Sequence, residues 1–197
     1  MRLNDLTLKP QSWNNRYREK PAPTEPSHIL TEFSYCIPAA GRALDLACGG
    51  GRNTVFLAQH GLRTLGVDLS RAALEQGREL ARQKKVTVDW VQADLKNFSL
   101  PSATFHVIVC AYFRDPKLCA LIRDSLRPDG VLFYETFSRE QLRFEAGPKN
   151  PEHLLEPAEL LQVFADWRVM FYREMWIDRG IAALIARKPA AKGDRRL

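Results

Sequence analysis

Cysteine is scarce: Cys36, Cys48, Cys110 and Cys119 stand singly, with no Cys-x-x-Cys pair and no histidine beside them at metal-ligand spacing. That excludes a disulfide framework and a structural zinc site, no metal is expected, and single reduced thiols fit a cytoplasmic location. Long apolar runs are missing as well. Nothing approaches the roughly eighteen residues of a membrane span, and the opening MRLNDLTLKPQSW holds no apolar core of signal-peptide length, so no membrane contact is expected. A net excess of one charge sign is nearly absent from the body of the chain. Of the formal net charge of +6, the run from Arg187 to Leu197 carries five Lys or Arg against one Asp. A solvated basic tail is therefore expected, and nucleic acid is an unlikely partner on charge alone. The chain also lacks repeats, low-complexity tracts and any Ser-His-Asp or paired-carboxylate pattern.

What is present is an ordinary globular composition, 45% hydrophobic and 26% charged over 197 residues, enough for one domain with a sizeable core. Residues 1–40 are punctuated by Pro10, Pro21, Pro23, Pro26 and Pro38 and read as an arm with short helices near Ser12–Glu19 and Ser27–Cys36. Residues 41–188 alternate strand-length apolar runs with helical patterns: ALDLA then TVFLAQH; TLGVD then RAALEQGRELARQ; VTVDWVQAD; FHVIVCAYF then KLCALIRDSL; GVLFYETF then EPAELLQVFA. This predicts an α/β fold, a doubly wound and mostly parallel sheet. WRVMFYREMW and GIAALIARK, joined by Asp178-Arg179-Gly180, predict an antiparallel hairpin at its edge. Residues 189–197 form the basic tail. The irregular segment SREQLRFEAGPKNPEHLLEP leaves a strand at its carboxyl end, where open α/β sheets bind ligands.

The stretch ALDLACGGGRNT carries the chemistry. Its glycines follow a strand and precede a helix, so the chain can turn sharply and a ligand can lie against backbone near free helix amides. Asp45 separates the possibilities. A carboxylate just ahead of such a loop opposes a pyrophosphate, but it recognises an ammonium or a sulfonium. The second strand ends in GVDLS, with Asp68 nineteen residues after Gly49, placed to accept both hydroxyls of a ribose, and Leu69 beside it can wall an adenine. Ser70 is free to cap the next helix. The third strand ends in QADL, where Asp94 can accept from an exocyclic amine with Leu95 alongside.

ALDLACGGG, GVDLS and QADL, in this order, resemble the successive nucleoside-binding motifs of class I S-adenosylmethionine-dependent methyltransferases, over roughly residues 40–188. GGGRNTVFLAQHG and the N-terminal WNNRYRE are similar to the tellurite-resistance (TehB-like) branch and its thiopurine-methyltransferase-like neighbours. The resemblance implies a Rossmann-like, seven-stranded sheet with S-adenosylmethionine as cofactor. It implies a cofactor site of Asp45 at the methionine amino end, Ala47, Gly49, Gly51 and Asn53 along the loop, Asp68 and Leu69 at the ribose, Asp94 and Leu95 at the adenine, Cys110 with Ala111 and Tyr112 on the methyl-donor side, and Tyr17 from the arm. Ala47 stands where the pattern has its first glycine, and His106 where an acid often opens the fourth strand.

Methyl transfer from a sulfonium is an in-line displacement governed by positioning, so a missing acid-base constellation fits. No catalytic residue is identified; the candidates are Tyr112, Arg114 and His153, with His28 and His153 as lone potential bases. CAYFRDP after the fourth strand is not the Asn-Pro-Pro-Tyr-like tetrapeptide of amino methyltransferases, and no cysteine follows a proline as cytosine-C5 chemistry needs. A small molecule is the expected acceptor: an oxyanion of tellurium or selenium in a cationic pocket of Arg114, Arg139, Arg143 and His153, a thiol, or a small metabolite. Trp13 and Tyr17 would close over the site as a lid. The alternatives are an RNA methyltransferase, a non-catalytic cofactor-binding module using the basic tail, and an NAD-dependent oxidoreductase, which Asp45 and Thr54 oppose. The sequence leaves the oligomeric state open.

Overall fold

A computed structural model describes residues 10–190; the first nine residues, and the part of the basic tail from 191 onward, lie outside the described residues. The arm begins with α1 (Pro10–Glu19), with proline at the first helical position, where its missing N–H costs nothing. The predicted second arm helix is two pieces, α2 (His28–Glu32) and a single 3₁₀ turn at Ser34–Cys36, because Phe33 leaves helical geometry at φ −111°.

The described residues of the body form β1 (Gly41–Leu46), α3 (Arg52–Gln59), β2 (Leu62–Asp68), α4 (Arg71–Gln83), β3 (Asp89–Gln92), β4 (Phe105–Ala111), α5 (Leu118–Ser125), β5 (Leu126–Phe137), α6 (Glu159–Val163), β6 (Arg168–Met175) and β7 (Ile181–Arg187). One seven-stranded sheet runs β3-β2-β1-β4-β5-β7-β6. The pairs from β3 to β5 are parallel, while β7 inserts between β5 and β6 antiparallel to both. The expected C-terminal hairpin is thus part of the sheet and supplies its edge.

Strand alternation explains the two layers. Leu44, Leu46, Ile108, Cys110, Leu132 and Tyr134 pack one face against Leu118 and Ile122 of α5, Leu160 of α6 and Trp167. Ala43, Val107, Val109, Val131 and Phe133 pack the other against Leu57 of α3 and Ile29 and Leu30 of α2. Near α4, a third cluster joins Val55, Leu80 and Ala81 to Trp90. α4 has the bounds that its pattern predicts, and Ser70 Oγ caps it by accepting from Ala73 N at 3.2 Å.

The order of strands reverses direction between β1 and β4. Their carboxyl ends, followed by the glycine loop and by Tyr112, therefore open the crevice where such sheets hold ligands. The turn from β6 to β7 reaches the same edge, since Ile181 pairs with Phe137 at the end of β5. Among the described residues, no helix is long and apolar enough to cross a membrane.

Candidate active site

At the end of β1, Asp45 is 1% exposed, and Thr54 on α3 donates to its Oδ2 at 2.6 Å. Burial pushes this carboxyl up to about 7, the Thr54 hydrogen bond opposes the rise, and the nearby Asp68 carboxylate adds to it. Ala47 follows at φ 54°, a left-handed conformation for which the family pattern keeps glycine.

The glycine loop itself is packed against protein. A Cβ at Gly49 would lie 2.5 Å from the Tyr17 hydroxyl, one at Gly50 would lie 2.2 Å from Ala22 Cβ, and one at Gly51 would lie 2.3 Å from the Trp90 ring. Trp90 also fills the space over Gly66 and Gly77. Protein atoms therefore account for the missing side chains at Gly50 and Gly51, and Gly51 also enters α3 at φ 75°.

Asp68 closes the loop from the other side. Its Oδ2 accepts from Gly49 N at 2.7 Å and its Oδ1 from Ser70 N at 2.8 Å, so both oxygens are oriented by the backbone. Burial raises its pKa while these two bonds pull it back. Leu69 next to it is half-buried. Asp94 is exposed and accepts from Lys96 N at 3.0 Å in a turn geometry, and Leu95 packs on the core. The edge thus brings Asp45, Asp68, the glycine loop and Tyr17 together.

The arm is fastened over this loop. Asn14 Oδ1 accepts from Ala72 N at 3.1 Å and from Ser70 Oγ at 2.9 Å, so an arm residue supplements the Ser70 cap of α4. Gln76 takes Ala22 N at 2.7 Å and donates back to the Tyr17 carbonyl. Asn53, expected on the cofactor side, gives its side-chain carbonyl to Ser27 N at 2.8 Å and so anchors the arm. Burial, with the Asp68 charge, pushes the Tyr17 phenol up to about 12, so it remains a donor. Asn14→Ala is expected to lose about 1 kcal/mol of stability by urea unfolding, the worth of a helix cap.

On the methyl-donor side, the Cys110 side chain is fully buried in the core and donates to Phe113 O, so its sulfur does not reach the edge. Tyr112 does. It sits at φ 59°, its ring lies 5.4 Å from that of Phe137, and the Arg52 guanidinium lies 5.6 Å above it. Arg52 also donates to the carbonyl of Glu25, tying the arm to this end of the crevice.

The expected cationic pocket is not formed. Arg114 makes a forked pair with Glu159 at 2.8 and 3.1 Å and also donates to Glu152 O, Arg139 meets Glu156, and Arg143 meets Glu140 at 2.8 Å. Each guanidinium has its own carboxylate, and Arg114 acts as a strut holding α6. His153 ends a single turn, Pro151–His153, and His28 pairs with Glu32 at 3.1 Å on the solvent side of α2. Sequence reasoning missed Glu135. It is 5% exposed at the ligand edge of β5, and its charge helps push the Tyr112 phenol up to about 12. The signal was present, an acid inside the apolar run GVLFYETF. Among the described residues, no group of His, Cys, Asp and Glu suits a metal.

Residues 43–130 match the family described as Methyltransferase domain. The ubiquinone biosynthesis O-methyltransferase of Actinobacillus pleuropneumoniae serotype 7 (strain AP76) is 27% identical over 144 residues, covering 61% of the chain and 62% of that relative. The chain thus spans about three fifths of that curated relative's length. TehB from Haemophilus influenzae superposes with a TM-score of 0.71 at 17% identity, covering 89% of the chain and 67% of that one. A SAM-dependent methyltransferase from Aquifex aeolicus gives 0.68 at 17%, covering 91% and 98%. Residues 43–130 thus resemble a methyltransferase domain, and the fold is the one shared by TehB and the SAM-dependent methyltransferase from Aquifex aeolicus.

Proposed function

We propose that this chain methylates a small molecule by in-line transfer from S-adenosylmethionine. The observation that supports it best is the enclosure of the ligand edge by the chain's own arm, with Tyr17 and Ala22 against the glycine loop and Arg52 bridging Glu25 to the Tyr112 ring. A strand of nucleic acid needs an open approach, and the arm covers the glycine-loop side of this edge.

The residues fit the cofactor. Asp45 would take the ammonium, since a cation supplies the counter-charge its burial lacks. Asp68, with both oxygens fixed by Gly49 and Ser70, would accept from the ribose, and Asp94 with Leu95 would take the adenine. When bound, the cofactor supplies an electrophilic methyl on a sulfonium. The arm excludes water, and Tyr112 at the end of β4 would face the reacting side.

Names of relatives favour a hydroxyl acceptor, the A. pleuropneumoniae protein being named for O-methylation in ubiquinone biosynthesis. Tellurite or selenite fits less well now that Arg114, Arg139 and Arg143 are paired. Nucleic-acid binding through the basic tail is the remaining alternative. The test is transfer of labelled methyl to tellurite, selenite, thiols, phenols and total RNA, with calorimetry of S-adenosylmethionine beside it. Transfer to a small molecule is expected; transfer to RNA alone, or no cofactor binding, would sink the reading. S-adenosylhomocysteine should raise the Tm and NAD should not.

A further inference from the structure

Glu135 lies on the same side of the sheet as Asp45. Asp45 pairs with Val109 and Val109 with Phe133, so Glu135 is two strands across and one pleat nearer the ligand edge. Strand spacing and rise put the two backbones about 12 Å apart. Beside it, Ala111 and Ala183 are the lateral partners, small residues that leave the carboxylate room. Tyr112 is tied to it by the backbone, its N–H donating to the Glu135 carbonyl at 2.7 Å, and the Glu135 charge acts on its phenol. That link holds a non-glycine residue in the left-handed region, a strain that ligand sites commonly store. Phe137 flanks the phenol ring. The turn after β6 brings Trp176 and Ile177, 58% and 84% exposed, to the same edge, with Arg179 near enough for its charge to act on the phenol.

Resting on the methyl-transfer reading above, we propose that Glu135 and Tyr112 form the acceptor subsite, with Glu135 as the catalytic base for an uncharged hydroxyl or thiol carried on an apolar or aromatic body. The acceptor X–H gives its proton to the Glu135 carboxylate as X bonds to the methyl carbon. The carbon–sulfur bond of the sulfonium breaks, its electron pair stays on sulfur, and the proton leaves Glu135 for solvent. Tyr112 keeps its own proton, because burial and the Glu135 charge push the phenol up to about 12, so it remains a donor. A buried carboxylate repels an oxyanion and welcomes a donor, and the rings of Tyr112 and Phe137 give the acceptor's body a face to rest on.

The test uses the full chain with catechol, thiophenol and tellurite as probes. Glu135→Gln keeps the shape, but it cannot take a proton. Its affinity for S-adenosylmethionine should stay within about 2-fold of wild type, while kcat with the protic probes falls about 100-fold or more. The residual rate should climb with pH as the probes ionise, thiophenol first. Tyr112→Phe, which removes the phenol and keeps the ring, should lower kcat about 10-fold and carries the test if Glu135→Gln does not fold. Wild-type turnover of tellurite above both protic probes, no binding of either protic probe, or undiminished turnover by Glu135→Gln would overturn the assignment while leaving methyl transfer intact. Failure of wild type to bind S-adenosylmethionine overturns both, so the two failures are distinguishable.

Discussion

Asp68→Ala is expected to weaken S-adenosylmethionine binding on the order of 100-fold, about 3 kcal/mol by calorimetry. Two losses add. The ribose hydroxyls would lose a charged acceptor, and hydrogen bonds to charged groups contribute about 1.5–3 kcal/mol. The loop also loosens, because Gly49 N and Ser70 N both lose their acceptor. Asp68→Asn separates the two: one side-chain oxygen remains for one amide, while the amide group cannot accept from both hydroxyls. It should fall between wild type and the alanine variant. Unchanged affinity in Asp68→Ala would remove this residue from the site.

The alternation of strands and helices was readable because each element is locally periodic, and α4 keeps the bounds its pattern predicts. Boundaries moved where tertiary contacts decide them. VTVDWVQAD yields only Asp89–Gln92, since β3 is an edge strand paired on one side, while β5 extends back to Leu126. The α6 pattern gives five residues, because Ala158 stands at φ 58° just before it.

Asp45 and Asp68 were legible because a carboxylate at the end of an apolar strand is a local anomaly. The glycines were legible as a turn, but not as the floor for Trp90, Tyr17 and Ala22, which arrive from 28 to 39 residues away along the chain. Pairing is long-range too: Arg114 finds Glu159 across 45 residues, so a sequence that gathers arginines cannot show that each is already answered. Glu135 was overlooked although the argument used for Asp45 applies to it unchanged, an acid in an apolar run at the ligand edge.

That same burial makes Asp45 a pH-sensitive group of the fold. Unfolded, it loses its proton near 3.8; folded, it holds it up to about 7. Between those values the folded chain binds the extra proton, so this group's contribution is fully present below about pH 4 and is lost as pH rises to about 7. The slope is about 1.4 kcal/mol per pH unit, or up to about 4 kcal/mol across the window. Asp45→Asn keeps an acceptor for Thr54 and carries no charge to bury. The variant should match wild type in urea unfolding near pH 4 and exceed it by about 2–4 kcal/mol at pH 8. Binding should move the opposite way. A cationic ligand group favours the carboxylate, so wild-type affinity for S-adenosylmethionine should rise with pH up to about 7 and then level, while the Asn variant stays weak and flat. A protein made more stable and a poorer binder by one atom exchange is the signature of a carboxylate kept for recognition. Equal affinity in the two proteins at pH 8 would instead make Asp45 a structural partner of Thr54 and nothing more.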